Sequence, residues 1–136
     1  MKKQRGLSLI EVLISLAILG VVIVAVAGSM ASNLKVTSAS NRESVAVKYV
    51  DSALELYRVH WRSSSNYARA RRPNLNRLNR MLDHGMTVRI SRPQGLNFDG
   101  NPTSVHNPPM RRVTIKVLRD GKVIAQGSTV IGRPQQ

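Results

Sequence analysis

The sequence predicts an α+β chain in which one long N-terminal helix packs on a small antiparallel β-sheet. Three observations carry that expectation. Leu7 to Ala31 is an almost uninterrupted apolar run, and at ~1.5 Å per residue it is long enough to cross a bilayer core of roughly 30 Å. Ala46, Val50, Ala53, Tyr57 and Trp61 then recur at i, i+4, i+7, i+11 and i+15, the stripe of an amphipathic helix. Beyond Gly85 the period changes to two, which is the alternation of half-buried strands.

No proline precedes Pro73, so the apolar run and the amphipathic stripe are read as one helix from about Leu7 to about Arg62, spanning roughly 80 Å. Its first half is membrane- or partner-facing. Its second half lays Ala46, Val50, Ala53, Leu54, Tyr57 and Trp61 on the sheet, while Lys48, Asp51, Glu55 and Arg58 fall largely outside that stripe. Glu55 and Arg58 stand at i, i+3 and can attract. Ser63-Ser64-Ser65-Asn66 has no apolar period and should break the helix. Leu75, Leu78, Met81 and Leu82 follow Pro73 at roughly helical spacing, which predicts a short helix from Pro73 to Asp83 with Gly85 ending it.

The strand signals are compact. Met86-Thr87-Val88-Arg89-Ile90-Ser91-Arg92 alternates, as does Arg112-Val113-Thr114-Ile115-Lys116-Val117, which puts Met86, Val88, Ile90, Val113, Ile115 and Val117 inward. Pro93 to Pro109 is rich in Pro, Gly and Asn and reads as a surface loop. Asp120-Gly121 is a two-residue hairpin turn. Lys122 to Gln126 and Ser128 to Ile131 form the return strand, with Gly127 between them as a bulge.

Composition bounds the function. The chain has 136 residues, no cysteine, and 21 Lys plus Arg against 7 Asp plus Glu, for a net charge of +14. An exported domain of this size would have no disulfide to supplement its modest core. Between Arg58 and Arg80 lie seven arginines and no acid, a field that favours polyanions: nucleic acid, anionic lipid or an acidic polymer. Nothing reads as catalytic. His60, His84 and His106 lack the close spacing of metal ligands, and the sequence has neither a nucleophile elbow nor a phosphate-binding glycine loop. The expectation is a non-enzyme without cofactor or metal.

The first residues are the most specific. A basic leader, Met1-Lys2-Lys3-Gln4-Arg5-Gly6, precedes the apolar run, and the run's one charge is Glu11. A carboxylate inside such a segment is costly and rarely tolerated without a role. The stretch Arg5-Gly6-Leu7-Ser8-Leu9-Ile10-Glu11-Val12-Leu13 resembles the N-terminal signal of type IV pilins and type II secretion pseudopilins. The resemblance implies a pilin-like fold, cleavage after Gly6 by a prepilin peptidase, N-methylation of Leu7, and a role for Glu11 in subunit assembly. In the resembled family that glutamate is thought to pair with the N-terminal amine of a neighbouring subunit; pairing with the amine of its own helix is the alternative. A secretory signal cut near Ala25-Val26-Ala27 and a plain signal anchor are the ordinary competitors.

The resemblance implies a leader over residues 1–6, a transmembrane and assembly helix over 7–33, and a small soluble domain over 34–136 that includes the helix's second half. The partners implied are other pilin subunits through the N-terminal helix, the peptidase and the bacterial inner membrane. The precursor would cross that membrane once with its leader cytoplasmic, and its soluble domain would end up in a pilus or pseudopilus. Where many type IV pilins have a helix-bending proline, this chain has Gly28, a milder break, which leans toward a minor pilin or pseudopilin. The expected function is a minor pilin of a type IV pilus or related fibre, serving DNA uptake, adhesion or twitching motility. A type II secretion pseudopilin and a DNA-receptor pilin are the alternatives.

For DNA or another polyanion the candidate contacts are Arg62, Arg69, Arg71, Arg72, Arg77 and Arg80, interleaved with Trp61 and Tyr67. Phosphate contact plus aromatic stacking grips single strands. Tyr57 and Trp61 lie on the core stripe, however, where packing is the competing role. A solvated or partner-facing basic surface is the alternative, and Arg111, Arg112 and Lys116 are a second place for such contact.

Overall fold

The computed structural model describes residues 8–135. The described residues form two compact units, divided between Ser40 and Asn41. The first helix, α1 (Leu9–His60), contributes to both and is continuous through Gly20 and Gly28. Two short helices follow, α2 (Ser64–Ala68) and α3 (Asn76–Asn79), then four strands: β1 (Met86–Ile90), β2 (Gln94–Leu96), β3 (Met110–Arg119) and β4 (Lys122–Gly132). This is an α+β pilin-like arrangement.

In the second unit every strand pairs antiparallel with β3. β4 runs along all of it, while β1 meets residues 115–119 and β2 residues 110–112. Because β4 already occupies one side over that whole length, β1 and β2 lie end to end on the other. The hairpin turns where the sequence indicates: Asp120 and Gly121 have φ of 50° and 78°, as a primed two-residue turn requires.

The predicted stripe is the core. Ala46, Val50, Ala53, Leu54, Tyr57 and Trp61 are buried, joined by Tyr49, Tyr67 and Leu75 and by Val113, Ile115 and Val117 of β3. Met86, Val88 and Ile90 of β1 pack partly buried against them. Residues 41–60 of α1 therefore cover one face of the sheet, while the other carries the exposed Arg89, Arg112 and Gln126, with Leu96 and Leu118 buried toward its ends. Tyr57, Trp61 and Tyr67 form an edge-to-face ladder with centroids 5.3 and 5.6 Å apart, an arrangement favoured by the ring quadrupoles.

Three local expectations are corrected and one is extended. The long helix ends at His60, so the serine run does break it, but a second short helix, α2, starts within that run at Ser64, with its Tyr67 fully buried. The helix expected over 73–83 shrinks to α3. Asn74 Oδ1 accepts the Asn76 N–H at 2.9 Å, while Met81 and Leu82 make only i→i−3 bonds, the local competition that disfavours Asn inside helices. The loop over 93–109 contains β2. There a Cβ on Gly95 would lie 3.0 Å from the Thr103 carbonyl oxygen and the Pro108 ring, so glycine permits a close backbone approach. Finally, Gly127 pairs in register with Ile115, and the irregularity falls instead between Val117 and Leu118, where Ile124 is the extra residue.

Candidate processing and assembly site

Ser8 and Glu11 build the N-terminus of α1. The Ser8 carbonyl accepts the N–H groups of Glu11 at 2.9 Å and Val12 at 3.2 Å. In return the Ser8 N–H donates to Glu11 Oε2 at 2.8 Å. Ser8-Leu9-Ile10-Glu11 is thus half of a capping box, with the carboxylate satisfying an orphan donor at the positive end of the helix. The sequence reading missed this, although the S-x-x-E spacing carries the signal. Gly6 and Leu7, the expected cleavage and methylation residues, lie outside the described residues, as does the leader.

From Leu9 to Leu34 every residue of the helix is exposed. Its most apolar stretch of 18 residues has a mean hydropathy of 3.0, and none of it is buried. Glu11 is the only charge between Leu9 and Leu34. Such a helix is long and apolar enough to cross a membrane.

Residues 1–27 match the family model described as the prokaryotic N-terminal methylation motif. The chain carries the type IV pilin and pseudopilin signal. Searches of curated proteins and of solved structures returned no match. The matched residues are the first 27 of 136, and the match shows a pilin-type N-terminal signal followed by a helix long and apolar enough to cross a membrane.

The second unit of this pilin-like chain is strongly basic: 17 Lys and Arg against 6 Asp and Glu, hence +11. Arg62, Arg69, Arg71, Arg72, Arg77 and Arg80 are all exposed. Among the described residues the ion pairs are Arg42–Asp83, Arg58–Glu55 and Arg119–Asp120, at 4.0, 3.2 and 3.7 Å, so none of the six has a carboxylate partner. The aromatics interleaved with them do not share that exposure. Trp61 is 1% exposed and Tyr67 0%, with Trp61 Nε1 donating to the Arg71 carbonyl at 2.7 Å. The stacking half of a single-strand grip is therefore missing from this segment.

Arg111, grouped at the sequence level with Arg112 and Lys116, belongs to the core. It shares the face of β3 that carries Val113, Ile115 and Val117, and it is 8% exposed. It donates to the Ala68 and His106 carbonyls at 3.2 and 3.0 Å and lies over the Tyr67 ring at 5.3 Å. Tyr67 in turn donates to the Pro108 carbonyl at 3.0 Å. Burial raises the hydroxyl pKa of Tyr49, Tyr57 and Tyr67 above the usual phenol value; the charges of Arg72 near Tyr57, and of Arg111 and Arg133 near Tyr67, oppose the rise in part.

Proposed function

We propose that this chain is a minor pilin, a structural subunit of a type IV pilus or related fibre, cut between Gly6 and Leu7 by a prepilin peptidase. The observation that supports it most is the methylation motif over residues 1–27 running directly into an exposed apolar helix whose one charge is Glu11. In that reading residues 1–6 are a cytoplasmic leader, held inside by Lys2, Lys3 and Arg5. Residues 7–33 form the membrane and assembly helix, and residues 34–136 the soluble domain.

Cleavage frees an α-amino group on Leu7, one residue before the Ser8 N–H that Glu11 already holds. In a fibre the glutamate serves as the partner of a neighbour's amine, since an unpaired charge among packed helices is costly. Of the services open to such a fibre, the charge of the second unit favours those that meet a polyanion. Mass spectrometry of the mature protein tests the reading: Leu7 as an N-methylated first residue supports it, and an N-terminus beyond Ala27 overturns it. Deletion of the gene separates the two fibre types, because loss of surface pili marks a pilin and loss of protein secretion marks a pseudopilin.

A further inference from the structure

We propose that the solvent face of the sheet in the second unit, centred on Arg89, Arg92, Arg112 and Lys116, binds the phosphate backbone of duplex nucleic acid. The strands fix which side chains share this face. Val88, Ile90, Val113, Ile115 and Val117 point to the core, so Arg89 of β1 and Arg112, Thr114 and Lys116 of β3 point the other way. Arg89, Arg92 and Arg112 are exposed and Lys116 is half-buried. The acids of the second unit lie elsewhere: Glu43, Asp51 and Glu55 on α1, and Asp83, Asp99 and Asp120 in turns. None occupies a strand.

The register sharpens the point. Arg89 is the direct cross-strand partner of Lys116, and the residue on the other side of Lys116 is Gln126. Like charges directly opposite on one sheet face destabilise the pair, and here no carboxylate relieves them. A bound anion does. The second pair of cations sits four residues along β3, about 13 Å away at ~3.3 Å per residue. There Arg92 and Arg112 line one shallow hollow with Ser91, Gln94 and Thr114, a lining of guanidinium, hydroxyl and amide donors with no acid.

Two cation pairs so spaced on one face can meet phosphates on both sides of a duplex groove about 12 Å wide. A single strand is the poorer fit, because sequence-tolerant binding of single strands relies on stacked aromatics and this face has none. Tyr49, Tyr57, Trp61 and Tyr67 are all in the core, and Phe98 stands in the loop after β2. The inference deepens the polyanion-facing part of the proposed function, but the face requires no assembled fibre, so its failure would leave the reading of the N-terminal signal standing.

The test uses the full chain, purified in an uncharged detergent, with a short DNA duplex of arbitrary sequence as the probe. Binding should weaken linearly on a log–log salt plot, with a slope of about −0.9 per phosphate neutralised. The variant Arg89→Gln/Arg112→Gln/Lys116→Gln should lose at least about tenfold in affinity, and its slope should flatten by two to three. Changing Arg69, Arg71, Arg72 and Arg77 to Gln together should cost under about threefold. Arg89→Lys/Arg112→Lys keeps the charge and should keep the binding, which controls for damage to the sheet. Three results each overturn the proposal: no binding by the unchanged protein at low salt, loss confined to the four-arginine variant, or preference for single strands, polyglutamate or anionic vesicles over the duplex at equal charge.

Discussion

Gly127 of β4 and Val50 of α1 meet so closely that a Cβ on the glycine would fall 2.6 Å from the valine Cγ1. Leu54 Cδ1 would lie at 3.1 Å. The helix thus seats on the sheet through a missing side chain. Gly127→Ala should destabilise by about 1–3 kcal/mol through overpacking, seen as a lower unfolding midpoint. Val50→Ala makes room at the same point, so the double variant should lose less than the two single losses added together.

The buried tyrosines separate by their hydroxyl partners. Tyr57 Oη is buried without a partner, whereas Tyr67 Oη reaches the Pro108 and Ile131 carbonyls at 3.0 and 3.5 Å. Removing an unsatisfied buried hydroxyl is close to neutral or stabilising, while removing a donor strands its acceptors at about 1–2 kcal/mol. Tyr57→Phe should leave the denaturant midpoint unchanged or raised, and Tyr67→Phe should lower it. The reverse order would mean that the ladder, and not hydrogen bonding, sets the cost.

Alkaline pH should unfold the second unit. Tyr49, Tyr57 and Tyr67 all have pKa values raised by burial above the unfolded value of about 10. A raised folded pKa means that the unfolded chain releases its protons first. Stability is therefore full below pH about 10 and is lost as pH climbs toward the folded values. The thermal midpoint should be flat near neutrality and fall above pH about 10, with phenolate absorbance appearing together with unfolding.

These residues also show how far sequence reading reaches. The stripe from Ala46 to Trp61, the strands around Val88 and Ile115, and the Asp120-Gly121 turn are periodic or local signals, and each lies where its pattern places it. Arg111 fits the same alternation as Val113, but its charge argued for solvent. Only the carbonyls of Ala68 and His106, brought in by α2 and by the loop before β3, make its burial tolerable. Tertiary satisfaction of that kind leaves no trace in spacing. The same holds for Tyr67, whose burial goes with a new short helix inside the serine-rich break, and for β2, three residues long and held by β3. At the N-terminus the Ser8–Glu11 cap is legible in its S-x-x-E spacing, although the partner it gives the carboxylate is the Ser8 N–H and not an amine.

Arg111→Met should be costly for a surface-looking arginine. Methionine keeps much of the apolar stem but leaves the Ala68 and His106 carbonyls without their donor and removes the cation over Tyr67. A loss of about 2–4 kcal/mol is expected. Arg112→Met, one residue along on the exposed face, should stay within about 0.5 kcal/mol. Equal effects at the two positions would contradict the burial assigned to Arg111.

Glu11 has two jobs that chemistry can separate. Its carboxylate caps α1 through the Ser8 N–H, and in the proposed fibre its charge pairs with a neighbour's Leu7 amine. Glutamine serves the capping box about as well as glutamate, since its amide oxygen still accepts the N–H, but it has no charge to offer. Glu11→Gln and Glu11→Ala should both insert into the membrane and be processed normally, because losing a charge eases insertion. If charge pairing sets assembly, neither variant should appear in sheared fibres. If Glu11→Gln assembles like the unchanged chain while Glu11→Ala does not, capping is the whole of the residue's role and the intersubunit pair is wrong.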